Sequence, residues 1–139
     1  WIVINNPFHE TNDPIILMPA LKPDIALFHA SLADREGNVW VGVHKELVTL
    51  AHASNKTLVS FEHFYEGNLL DDERYAAGTI PSIYVTEIAQ VKRGAWPIAL
   101  PKYYPRDGRH IRKYRDMALS VDGFQQYLIE HVYTRIAGE

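Results

Sequence analysis

Residues Leu21–Asn38, LKPDIALFHASLADREGN, constrain this chain more than any other stretch. A Pro23-Asp24 break precedes Ile25, Ala26, Leu27 and Phe28, an almost unbroken apolar run. Such a run is too short for a buried helix and reads as a strand covered on both faces. Its end carries His29, then Asp34 and a tight Gly37-Asn38 turn. In open α/β sheets, ligands sit just beyond the carboxyl ends of the strands. The polar cluster His29–Asn38 therefore stands where a site would be.

The remaining pattern is compatible with that strand. Ile2–Ile4 and Ile15–Met18 read as short strands, and Asp24–Ala30 as the main one. Ser31–Asn38 follows as a loop, with Val39–Val43 a short extended piece. Lys45–Ala53 spaces Leu47, Leu50 and Ala51 at helical intervals. Thr57–Phe64 is rich in β-branched and aromatic residues and predicts a strand. Glu66–Gly78 reads as a loop or short helix, and Pro81 opens a strand over Ile83–Val91. Gly94, Pro97, Pro101 and Pro105 make Lys92–Asp107 irregular. Arg109–Leu119 predicts a charged helix. Val121–Ile136 predicts an amphipathic one, with Phe124, Tyr127, Leu128, Val132 and Ile136 on one face. Strands alternating with helices favour parallel β/α units.

Bulk properties narrow the function. A chain of 139 residues is one ordinary domain, and its net charge of −3 gives no basic field for nucleic acid. There is no cysteine, which excludes thiolate chemistry and suits a reducing compartment. No apolar run approaches the ~20 residues of a membrane span, so the cytoplasm is the expected location. The seven histidines form no His-x-x-x-His or Glu-x-x-His pair on a convincing helix, and no metal site is expected. No glycine-rich nucleotide motif occurs. The chain opens on Trp1 followed by strand-like IVIN, and reads as part of a longer subunit.

An ordered series of matches resembles the A subunit of the class I CoA-transferases, nearest the glutaconate type. It comprises Pro19-Ala20-Leu21, Pro23-Asp24-Ile25-Ala26, His29-Ala30 and Ala33-Asp34-Arg35-Glu36-Gly37-Asn38. Glu62, Ile80-Pro81, Tyr84-Val85, Gly94-Ala95-Trp96-Pro97, Tyr103-Tyr104, Tyr114, Phe124 and Tyr127-Leu128 follow in order. The resemblance implies a three-layer α/β/α fold of the CoA-transferase and sugar-phosphate isomerase type, with a mostly parallel open sheet. Residues 1–139 would be the C-terminal part of one A-subunit domain.

It further implies CoA transfer between an acyl-CoA and a small carboxylic acid. CoA is then substrate, with no bound cofactor. A B subunit supplies the covalent glutamate, so this chain has no catalytic nucleophile and is inactive alone. Glu62 becomes a supporting carboxylate, paired with His63 or a lysine. His29, Asn38, Gly94, Ala95 and Trp96 are the candidate pocket residues. Each has a plainer reading beside it. His29 could satisfy a backbone carbonyl, Asn38 could serve the Asp34 turn, and Trp96 could pack its loop onto the core. Relatives that hydrolyse a C–C bond in a ring-bearing acyl-CoA, and non-catalytic binding modules on this fold, are the alternatives. Apolar surface at Trp1–Ile4, Ile15–Met18 and Trp40 is expected to lie exposed in the lone chain.

Overall fold

The computed structural model describes residues 1–133. Strands β1 (Ile2–Asn5) and β2 (Pro14–Leu17) form an antiparallel hairpin of their own. Its loop is closed by side chains: Asn6 Nδ2 donates to Asp13 Oδ2 at 2.8 Å, and the Asp13 N–H donates to Asn5 Oδ1 at 2.9 Å.

The central sheet holds five strands. β3 (Ile25–Ala33), β5 (Lys56–Phe64) and β7 (Glu87–Gln90) run parallel as neighbours. Two-residue strands β4 (Val39–Trp40) and β6 (Thr79–Ile80) extend the sheet antiparallel beyond β3, in the order β6-β4-β3-β5-β7. The long ladders are thus the parallel ones. Helix α1 (Lys45–Ala53) makes the crossover from the β3–β4 edge to β5. Its Ala51, with Leu47 and Val48, packs on Ala30, Val59 and Phe61 to form the core.

The period of two in β3 decides which side is covered. Ala26 and Ala30 point at the core and are buried. Ile25 and Leu27 point the other way, and Leu27 is 74% exposed. The expectation of a strand covered on both faces is therefore corrected: this chain clothes only one face over the first half of β3. The hairpin leaves Trp1, Ile2, Val3, Ile16 and Met18 exposed as well. Trp40 does not join them, because it is half-buried edge-on against Tyr75, 5.3 Å between centroids.

Other boundaries move for local reasons. β3 continues through Ala33, since Leu32 and Ala33 pair with both β4 and β5. The loop shrinks to a turn closed by the Asp34 N–H on the Asn38 carbonyl, 3.0 Å, with Gly37 at φ 87°. The strand expected over Ile83–Val91 begins at Glu87 instead. Ser82–Tyr84 is a 3₁₀ turn, closed by the Tyr84 N–H on Pro81 and the Val85 N–H on Ser82.

Helices α2 (Gly108–Met117) and α3 (Val121–Leu128) end the described chain. Asp107 caps the first, accepting from the Arg109 and His110 N–H groups, and Ser120 caps the second through the Gly123 N–H. The last helix turns π-helical over Ile129–Tyr133. Ile136, expected on its apolar face, lies outside the described residues.

Candidate functional site

Parallel pairing places His29 directly beside Ser60, and strand periodicity puts Glu62 on the same face. The three side chains join over the middle and last third of β3 and β5; because β3 runs on to Ala33, His29 sits at mid-strand and not at the strand end expected from the sequence. His29 Nδ1 lies 2.8 Å from Ser60 Oγ, and His29 Nε2 lies 3.0 Å from Glu62 Oε1. The imidazole and the carboxylate are both buried, 8% and 5% exposed by side chain. An ionised Glu62 can only accept, which assigns the proton to Nε2 in neutral His29. Nδ1 then accepts from the Ser60 hydroxyl.

Glu62 gathers more donors. Its Oε2 accepts the Arg93 N–H at 3.0 Å, and the Tyr104 hydroxyl faces the same carboxylate and favours its charged form. Burial works against the charge. The Arg93 N–H, the Tyr104 hydroxyl and His29 outweigh it together, holding the carboxyl below the usual glutamate range. Burial, then the Glu62 carboxylate, pushes the Tyr104 phenol up, against the opposing Ala95 N–H. Tyr104 therefore stays a donor.

The irregular segment between β7 and α2 lies across this cluster. A Cβ on Gly94 would stand 2.5 Å from both Cε1 and Nδ1 of His29, so only glycine lets the backbone lie on the ring. The Ala95 N–H donates to Tyr104 Oη at 3.0 Å. Tyr103 goes to the other face of β5, stacking on His63 at 5.4 Å. Glu62 and His63 are adjacent in a strand and point opposite ways. The two tyrosines thus straddle the strand end.

Beside this end of the sheet lies a cavity of about 560 Å³. His29 and Leu32 line it from β3, Trp40 from β4, Leu47 from α1, and Leu100 and Tyr103 from the irregular segment. Its size and its mixture of apolar and aromatic walls suit a small organic ligand.

The structure gathers some candidate residues and separates others. His29, Gly94 and Ala95 come together around Glu62 and Tyr104. The His29 ring bonds two side chains, Ser60 and Glu62, rather than a backbone carbonyl. Glu62 takes His29 as its partner, in place of the His63 or lysine expected. Trp96 lies apart, against His110 on α2 at 4.2 Å.

Asn38 is buried in a different knot. It donates to Asp34 Oδ2 at 2.8 Å and Asn68 Oδ1 at 3.4 Å, and accepts from the Ser82 N–H at 2.9 Å. Asp34 itself accepts from the N–H groups of Glu36, Asn38 and Leu69. Ser60 and Arg93 were not singled out in the sequence. Ser60-x-Glu62 on a strand parallel to one carrying His29 is the signal that points to the first. Arg93 contributes only a backbone N–H, which no side-chain pattern reveals.

Among the described residues, no group of three or more metal-ligating side chains forms, and no helix is long and apolar enough to cross a membrane. On the charged helix α2, Lys113 pairs with Glu130 at 2.9 Å and Arg115 with Asp116 at 2.7 Å.

No protein-family model matches the chain. It is 29% identical over 135 residues to the A subunit of the 3-oxoadipate CoA-transferase of Pseudomonas knackmussii, a match spanning 93% of this chain and 44% of that protein. It is 26% identical over 132 residues to an uncharacterized protein of Archaeoglobus fulgidus, across 94% of this chain and 29% of that one. The chain therefore spans less than half the length of these relatives. Among solved structures, the glutaconate CoA-transferase of Acidaminococcus fermentans superposes with a TM-score of 0.83 at 23% identity, over 96% of this chain and 42% of its own. A variant of the decarboxylase AibA/AibB gives 0.72 at 24% identity, over 92% and 47%. The chain is CoA-transferase A-subunit-like in sequence, and its α/β fold is the one found in glutaconate CoA-transferase.

Proposed function

We propose that this chain forms part of the A subunit of a CoA-transferase, working with a B subunit to move CoA between an acyl-CoA and a small carboxylic acid. The state of Glu62 carries this reading. Its carboxylate already receives His29, the Arg93 N–H and the Tyr104 hydroxyl, and the residue is 4% exposed. A group so engaged makes a poor nucleophile toward a thioester. The attacking carboxylate must come from elsewhere, which agrees with a glutamate on the partner. That carboxylate adds to the thioester carbonyl and expels CoA thiolate, leaving an acyl anhydride. The thiolate then attacks the enzyme carbonyl, releasing the carboxylic acid and leaving a glutamyl-CoA thioester. The chain described here shapes the pocket through His29, Gly94, Ala95 and the cavity beside them. CoA is a substrate on this reading. A cytoplasmic setting accords with the absence of cysteine.

Borohydride and hydroxylamine trapping in the presence of acyl-CoA tests the proposal. Inactivation that needs both subunits, with the modification on a partner glutamate, supports it. Modification of Glu62 overturns it. Acyl-CoA consumed without trapping selects the C–C cleaving alternative instead, and binding without turnover selects a non-catalytic module.

A further inference from the structure

Glu62 touches both ends of one loop. Its Oε2 takes the Arg93 N–H where the loop leaves β7, and the Tyr104 hydroxyl, which holds the Ala95 N–H at 3.0 Å, faces the carboxylate where the loop returns. Inside those ends, the Ala95 N–H bonds Tyr104 Oη, and Leu100 and Tyr104 form an isolated antiparallel bridge. The returning part of the loop, Leu100 to Tyr103, forms one wall of the 560 Å³ cavity. Facing it are Leu32, Trp40, Val41 and Leu47, from β3, β4 and α1. His29, which also lines the cavity from β3, is bonded to Glu62, and the distance between the walls depends on where the loop is tied.

We propose that Glu62 is a positioning residue for the substrate: by fastening both ends of the 93–104 loop it sets the width of the cavity, which receives the apolar acyl group. This rests on the CoA-transferase reading for the identity of the ligand, but not for the existence of the latch. A glutamine at 62 keeps the shape and loses the function. Its one amide oxygen can serve the Arg93 N–H or the His29 side but not both, and a neutral amide accepts more weakly than a carboxylate. The hold on the loop is then weaker and the wall retreats.

Two measurements test this. In the complex with the B subunit, Glu62→Gln and the milder Tyr104→Phe should raise the KM for acyl-CoA about tenfold, with kcat changing less than about twofold. A fall in kcat at unchanged KM would make Glu62 a catalytic residue and overturn the proposal. The second measurement uses this chain and octanoate, read from the methyl NMR signals of Leu32, Leu47 and Leu100. Octanoate should shift all three in the parent, and binding should weaken about tenfold in both variants, whose remaining methyl signals report an intact fold. Octanoate binding unaffected by either variant overturns the latch, whatever the kinetics. Weakened octanoate binding in both variants, together with a parent complex that has no transferase activity, upholds the latch and defeats the functional reading.

Discussion

Replacing Gly94 by alanine probes the closest packing in the site. Gly94 does not adopt a left-handed backbone, since the positive-φ glycines are Gly37, Gly42 and Gly67. The substitution therefore adds a methyl without backbone strain. That methyl meets two atoms of the His29 ring at 2.5 Å, where ordinary contact starts at 3.4 Å. The ring cannot swing aside without giving up Ser60 at 2.8 Å and Glu62 at 3.0 Å. A neutral hydrogen bond contributes about 1 kcal/mol, one to a charged group about 1.5–3 kcal/mol. The loop can retreat instead, but only by lengthening the Arg93 and Ala95 N–H bonds. Overpacking in a tight interior costs about 1–3 kcal/mol. We therefore expect Gly94→Ala to destabilise the chain by about 2–3 kcal/mol in urea unfolding. A double-mutant cycle locates the cause: against a His29→Ala background the same substitution should cost less than about 0.5 kcal/mol. An unchanged midpoint for the single variant refutes the reasoning. So does an equal cost in both backgrounds.

Three further outcomes are expected. Asp34→Ala strips a fully buried carboxylate from three backbone N–H groups and the Asn38 amide, and should cost about 3 kcal/mol or more in urea unfolding; a loss under about 1 kcal/mol contradicts the role given to the knot. Glu62 has a folded pKa below its unfolded one, so its stabilisation is complete above the ordinary glutamate value and lost as pH falls through the lower, folded one. Urea midpoints at about pH 6 and about pH 3.5 should diverge more for the parent than for Glu62→Gln, and equal divergence counts against the assignment. Leu27→Lys alters an exposed position on the open sheet face; stability should change by no more than about 0.5 kcal/mol while binding of a hydrophobic dye falls, and a large stability loss would mean that face is covered.

Much of the fold was legible because local chemistry and tertiary context agree. Lys45–Ala53 is helical over the residues its Leu47, Leu50 and Ala51 spacing marks, and β5 starts one residue before Thr57. Asp34 behaves as an Asx turn predicts, and adds the Leu69 N–H from a distant segment. The errors came where pairing overrode composition. Ser31 does not end β3, because neighbouring strands hold the next two residues on both sides. Pro81 does not open a strand, because the chain turns through 3₁₀ geometry first. The site was half visible. A histidine closing an apolar run and a glycine in a proline-rich loop stand out in one dimension, although the strand runs four residues past that histidine. That His29 and Glu62 would bond one another depends on parallel register, which a linear reading of residues separated by a crossover does not provide.

The adjacent tyrosines that grip β5 from both sides make the loop tolerant in one respect and strict in another. Length could change at Ala99, outside the turn in which the Tyr103 and Tyr104 N–H groups bond the Leu100 carbonyl and aim the two rings. One residue added between Tyr103 and Tyr104 would turn a ring away from its side of the sheet. The spacing of this pair is therefore a ruler matched to the two-residue alternation of the strand it holds, and a better hallmark of the arrangement than loop length.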